Sequence, residues 1–226
     1  MQAFLPKRHG AIALQFDHTT QQVQRQFRFG YQQQAKIACH NCNHHWMSDI
    51  EDRASGWLKR MMFRKPLLST PLGSLAQRKL AAWVLLKAMC LPYVGTPPNP
   101  VVPSHYGEFR QRKLPWRHVI HIARHDGSQL PMFVTWAIDV RHRGLNGISH
   151  KTEGYGITFS MDTFVGQILG FEVTRYAVAV KSPIESFSPY VLQVWPWVGT
   201  QVWPPSGTMD QQMLFGFSDA FKSLEV

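Results

Sequence analysis

Cysteine is scarce in this 226-residue chain, which has three, only two of them close together. An odd, small count argues against a disulfide framework and for a reducing compartment. Long apolar runs are lacking too. The best candidate, Leu80 to Val94, is broken by Lys87 and Pro92 and falls short of the roughly 18 residues that a membrane span needs, so no membrane partner is expected. Behind Lys7 and Arg8 there is no apolar core with a small-residue cleavage site, so a secretory signal is not expected and a cytoplasmic location is. No internal repeat is visible.

Acidic residues are also few, 14 against 24 Lys+Arg, and the imbalance is local. Residues 1–115 hold 16 Lys+Arg against 5 Asp+Glu, a net of +11, whereas residues 116–226 hold 8 against 9, a net of −1. A basic half joined to a neutral half predicts a polyanion surface in the first. The apolar fraction of 44% is that of a folded chain.

What is present is concentrated in Cys39-His40-Asn41-Cys42-Asn43-His44-His45-Trp46, where two thiols, three imidazoles and two carboxamides precede a helix signal. Before it, Ala11 to Phe16 and Phe27 to Phe29 predict two short strands of a β-hairpin. After it, Ser48-Asp49-Ile50-Glu51 reads as a capping box opening a helix to about Phe63. The alternative is one longer helix from near Cys42 with Ser48 inside it. Ser74-Leu75-Ala76-Gln77 repeats the capping pattern before an apolar helix to about Leu91. Five prolines between Pro92 and Pro103 predict a stiff linker, dividing a basic helical region, 1–103, from a second region, 104–226.

Ser104 to Lys113 then reads as a short basic helix. Trp116 to Arg124 and Met132 to Val140 read as a hairpin around Asp126-Gly127. Tyr155 to Met161, Phe171 to Lys181 and Tyr190 to Trp197 read as strands, and Thr163 to Leu169 as a short helix capped by Asp162. An amphipathic helix from about Met209 to Leu224 closes the chain. The expected class is α+β, a hairpin and helical region followed by a mostly antiparallel sheet with a C-terminal helix.

Cys39-x2-Cys42 has the spacing at which two thiolates reach one zinc ion from a tight turn, and His44 is among the groups that would complete four ligands. Upstream, Asp17-His18 offers a carboxylate beside a base. Phosphodiester hydrolysis needs a His to deprotonate the attacking water and a divalent cation on the leaving oxygen. Hard oxygen donors such as Asp17 and Asn43 suit Mg²⁺ or Mn²⁺. The separations from Asp17 to Asn41 and Asn43 are 24 and 26 residues, room for strand, loop, strand and the first turn of a helix.

Cys39-His40-Asn41-Cys42-Asn43, Trp46-Met47-Ser48 and Glu51, continued by Leu80-Ala81-Ala82-Trp83, Lys87 and Val202-Trp203-Pro204-Pro205, resemble bacterial and phage HNH-endonuclease-like proteins. The resemblance covers roughly residues 35–207. It implies that the N-terminal region is an HNH-like ββα-metal unit, with His18 as general base, Asp17 and Asn43 as metal ligands, and Cys39 and Cys42 as half of a structural zinc site. Family members carry an earlier Cys-x2-Cys and a Pro after the His; here there is no earlier pair, and Thr19-Thr20 follows His18.

Two functions follow as expectations. One is a nucleic-acid-binding, metal-dependent endonuclease. The other is a non-catalytic HNH-like binder, such as a phage or plasmid inhibitor of a host nucleoprotein complex. DNA is favoured over RNA, with Lys59, Arg60, Arg64, Lys65, Arg110, Arg112 and Lys113 as phosphate contacts. Trp195, Trp197 and Trp203 could stack bases, and Arg141-His142-Arg143 forms a further basic loop. His118, His121 and His125 read as exposed strand positions, with the first two on opposite faces. The sequence leaves the oligomeric state open.

Overall fold

Strands β1 (Ala11–Asp17) and β2 (Gln22–Phe29) form the expected hairpin, antiparallel, with Asp17 opposite Gln22 and an irregularity between Gln15 and Phe16. The computed structural model describes residues 11–17, 22–29, 38–62, 69–93, 100–111, 113–127, 133–143, 149–172, 183–221 and 223–225. Of 11–17, 22–29, 139, 141–143, 149–153, 183–184 and 223–225 it describes the backbone alone.

The cysteine stretch begins a helix instead of preceding one. Cys39 is the N-cap of α1 (His40–Cys42), which runs through a π-helical segment, Asn43–Met47, into α2 (Ser48–Met62). Ser48 therefore lies inside the helix and no capping box forms there; the longer-helix alternative is the one adopted. Ile50, Ala54, Trp57, Leu58 and Met61 keep one apolar stripe, and the buried members Ala54, Leu58 and Met61 face α3 (Ser74–Cys90). Helix α3 is buried on nearly every side, because it is sandwiched between α2 and the sheet. Its N-cap is Gly73, with no side-chain cap. Gln77, expected in a capping box, instead points inward and donates to the carbonyls of Leu72 and Gly199, both at 2.6 Å. Helix α4 (Pro103–Arg110) starts on Pro103, whose missing N–H costs nothing at a helix start.

The remaining strands are β3 (Thr70–Leu72), β4 (His118–Arg124), β5 (Phe133–Arg143), β6 (Ser149–Met161), β7 (Phe164–Phe171), β8 (Val191–Trp195), β9 (Gln201–Trp203) and β10 (Ser223–Glu225). Six form one sheet in the order β10-β5-β6-β7-β4-β8, antiparallel except for the β10–β5 pair, while β3 pairs with β9. Helix α5 (Gln211–Asp219) packs on the opposite face from α3. The chain is thus α+β, a mostly antiparallel sheet with helices on both faces and a helix near its C-terminus. One apolar core takes Leu80, Trp83 and Val84 together with Ile120, Phe159 and Phe164, residues from both sides of Pro103. Each fully buried Leu or Phe there contributes about 1.5–3 kcal/mol.

Several expected elements are corrected. The segment 163–169 is strand, not helix: β6 and β7 close a hairpin through Asp162 and Thr163, and Asp162 adopts a φ of 52°. Every residue of β7 is buried, so its apolar run carries no alternation from which a strand could be read. Strand β4 pairs with β7 and β8, not with β5. The turn at Asp126 is diverted, since the N–H groups of His125 and Asp126 donate to Thr163 O (2.8 Å) and Met209 O (3.0 Å). The final helix is shorter than expected. The Asp210 carboxylate accepts from Met213 N at 2.8 Å and starts α5, and Leu224 lies in β10. The strand expected at 171–181 is described only to Glu172.

Candidate functional site

At the head of the long helix, the backbone N–H of Cys42 donates to Cys39 Sγ at 3.3 Å, and the N–H of Asn43 to Cys39 O at 3.0 Å. The two thiols therefore share one turn. The hydrogen bonds from that turn, with Arg110 contributing, lower the Cys39 thiol pKa. Asn43 and His44 are exposed, and the His44 ring lies against His40 with centroids 4.1 Å apart. Cys39 and Cys42 border a cavity of about 230 Å³ with Trp46, Cys90, Phe109 and Arg110. Cys90 sits at the end of α3, where burial pushes its thiol up to about 11.

Two thiols on one turn supply two of the four donors of a structural zinc ion. Among the described residues no group of three or more His, Cys, Asp and Glu side chains stands where it could share one ion. The expected zinc set Cys39, Cys42 and His44 is thus brought together only as the Cys39–Cys42 pair. Asp17 closes β1, and its side chain is not described; His18 lies outside the described residues. The hairpin's neighbour is β5, whereas the helix bearing Asn43 packs on α3.

The cations expected to touch phosphate are spread over the helical layer. Lys59 and Arg60 are exposed near the end of α2, and Arg110 is exposed at the end of α4. Lys113 is exposed just beyond, and Arg64, Lys65 and Arg112 lie outside the described residues. Lys113 borders a second and larger hollow, about 750 Å³, which also takes Arg78 from α3, Arg117, Trp116, Trp195 and Trp197. The Arg117 guanidinium is held at 3.1 Å from Glu108 Oε1 and donates to Glu172 O at 3.1 Å.

No family model, curated protein or solved structure matches this chain. Among the described residues no helix is long and apolar enough to cross a membrane.

The tryptophans divide between core and hollow. Trp203 is buried against Phe164, and Trp195 is buried with its indole N–H donating to Pro115 O at 3.0 Å. Trp197 is exposed, and so is Trp116, which the sequence reading had placed in a strand. That reading missed the hollow because Trp116 and Trp197 are 81 positions apart and meet only through the β4–β8 pairing. Arg78 was missed because α3 reaches the hollow only through its packing on β8 and β4.

The histidines expected on an exposed strand are instead buried: His118 and His121 are both at 0% exposure and His125 at 1%. The expectation failed because β4 is an interior strand covered on both faces. The opposite-face assignment for His118 and His121 stands. His118 meets His105 and Tyr155 on the α3 side, and His121 meets Gln167, Phe217 and Phe221 on the α5 side. Arg141, His142 and Arg143 lie at the end of β5, where only the backbone is described.

Proposed function

We propose that this chain binds nucleic acid, and the observation that carries the proposal is the clustering of cations at the start of α3 and just beyond α4. Arg78 and Lys113 are exposed there, and half-buried Arg117 lies beside them. Polyanions release counterions on meeting such a surface, so binding should weaken steeply with salt. An electrophoretic shift series with DNA and RNA at low and raised salt tests this. A salt-insensitive affinity would remove the phosphate-dominated reading.

Phosphodiester hydrolysis is the activity proposed for the HNH-like part. A hairpin ending its first strand at Asp17 and followed by a helix with exposed Asn43 in its second turn has the chain order of a ββα-metal unit. In this reading Asp17 and Asn43 would hold Mg²⁺ or Mn²⁺, and His18 takes the proton from the attacking water. The cation, when bound, stabilises the leaving oxygen. Cleavage of DNA should require the divalent ion, and His18→Ala should slow it at least about 100-fold without lowering the unfolding midpoint. A His18→Ala protein that cleaves like the parent overturns the catalytic assignment.

The second reading is a non-catalytic HNH-like binder, for example a phage or plasmid protein acting on a host nucleoprotein complex. It is favoured by the thiol turn of Cys39 and Cys42, which no third His, Cys, Asp or Glu ligand joins among the described residues. It expects association without turnover under any metal, and zinc below one per chain by elemental analysis.

A further inference from the structure

We propose that the hollow between α3, α4 and the end of β8 is a single-strand binding groove, in which Trp116 and Trp197 stack on bases while Arg78, Lys113 and Arg117 contact phosphates. The inference rests on the nucleic-acid-binding reading and names the form of the partner. Trp116 is 55% exposed and Trp197 53%, although an indole is among the side chains that gain most from burial. Both border one concavity with three cationic side chains and a single carboxylate, Glu108, a net of +2.

The aromatic surface is ordered before any ligand arrives. Trp116 lies against Trp195, with centroids 4.8 Å apart and planes at 39°, and Trp195 is buried and tied to Pro115 O. Trp197 follows Pro196, whose carbonyl accepts from Gln193 Nε2 at 3.0 Å, and Gly199 O is gripped by Gln77 from α3. Arg117 is fixed by Glu108 and Glu172 O. A platform with few rotamers left to lose binds at low entropic cost.

Exposed indole faces beside cations select a strand whose base faces are open. In a duplex each base is covered by its neighbours and only phosphates and groove edges are presented, whereas a single strand offers both phosphates and π-faces. The same chemistry serves single-stranded DNA and RNA.

The test is fluorescence anisotropy of labelled oligothymidylate, oligouridylate and a DNA duplex, each about 12 units long, titrated with the full chain at several salt concentrations. A single strand of either sugar should bind more tightly than duplex, and the better of the two names the sugar. The logarithm of its affinity should fall with the logarithm of salt with a slope of roughly −2, for three phosphate contacts. Trp116→Ala and Trp197→Ala should each weaken single-strand binding about five- to a hundredfold, while Trp116→Phe keeps most of it and Arg78→Glu weakens it further. Near-UV circular dichroism checks that the variants are folded. If duplex binds as well as single strand and the tryptophan variants change nothing, the groove inference fails while nucleic-acid binding stands. If no polymer binds at low salt, both fail.

Discussion

The hydroxyl of Tyr155 lies 2.7 Å from His118 Nε2, a contact closed inside the core between the sheet and α4. His105 Nδ1 reaches the same oxygen from α4 at 3.0 Å. Desolvation holds His118 neutral, its pKa lowered to about 3, and holds His121 on the other face at about 4.

Stability should therefore fall in mild acid. Both histidines have folded pKa values below the unfolded value near 6.5, so the unfolded chain binds the extra protons. Their contribution is complete above about pH 6.5 and is lost as pH falls toward 4. Between pH 6.5 and pH 5 each costs about 2 kcal/mol. Urea unfolding at pH 7.5 and pH 5 measures it. A midpoint unchanged between the two would show that these imidazoles titrate normally. Tyr155→Phe removes the shared hydroxyl and should cost about 1–3 kcal/mol at neutral pH.

Two glycine substitutions should move stability in opposite directions. A methyl added at Gly170 would overlap the Tyr155 ring, which lies across that backbone. Gly170→Ala should then cost about 1–3 kcal/mol, as other overpacked cores do. Gly56 is exposed in the middle of α2 with open space where a methyl would go. Gly56→Ala should stabilise by about 0.5–1 kcal/mol through helix propensity alone. Thermal melts of the two variants beside the parent decide the matter.

The three thiols should separate by reactivity. Cys39 is exposed and its thiolate is favoured by the Cys42 N–H, whereas Cys90, at about 11, has roughly one thiolate in a thousand at pH 8. Iodoacetamide on the native protein at pH 8, read by peptide mass spectrometry, should label Cys39 well before Cys90. Equal labelling of the two would mean that α3 opens at the Cys90 end.

Local chemistry made the helical half readable from sequence. The apolar stripe of α2, the run from Leu80 to Met89, the hairpin ahead of Cys39 and the basic helix starting near Pro103 each depend on neighbours within a few residues. The charge asymmetry and the Cys39–Cys42 turn were legible for the same reason. The π-helical passage from Asn43 to Met47 was not, because Ser48 imitates a cap that the continuing helix overrides.

What the tertiary structure alone decided is which strands lie inside the sheet and which distant side chains share a surface. Burial on both faces erased the alternation of β7 and hid His118 and His121, and pairing partners depend on contacts across the whole chain rather than on any turn signal. The sequence by itself determined an α+β chain with a basic half and a thiol turn. Only the pairing of β4 with β8 brought Trp197 to Trp116 beside Arg78, because long-range register, not local pattern, sets what meets at a sheet end.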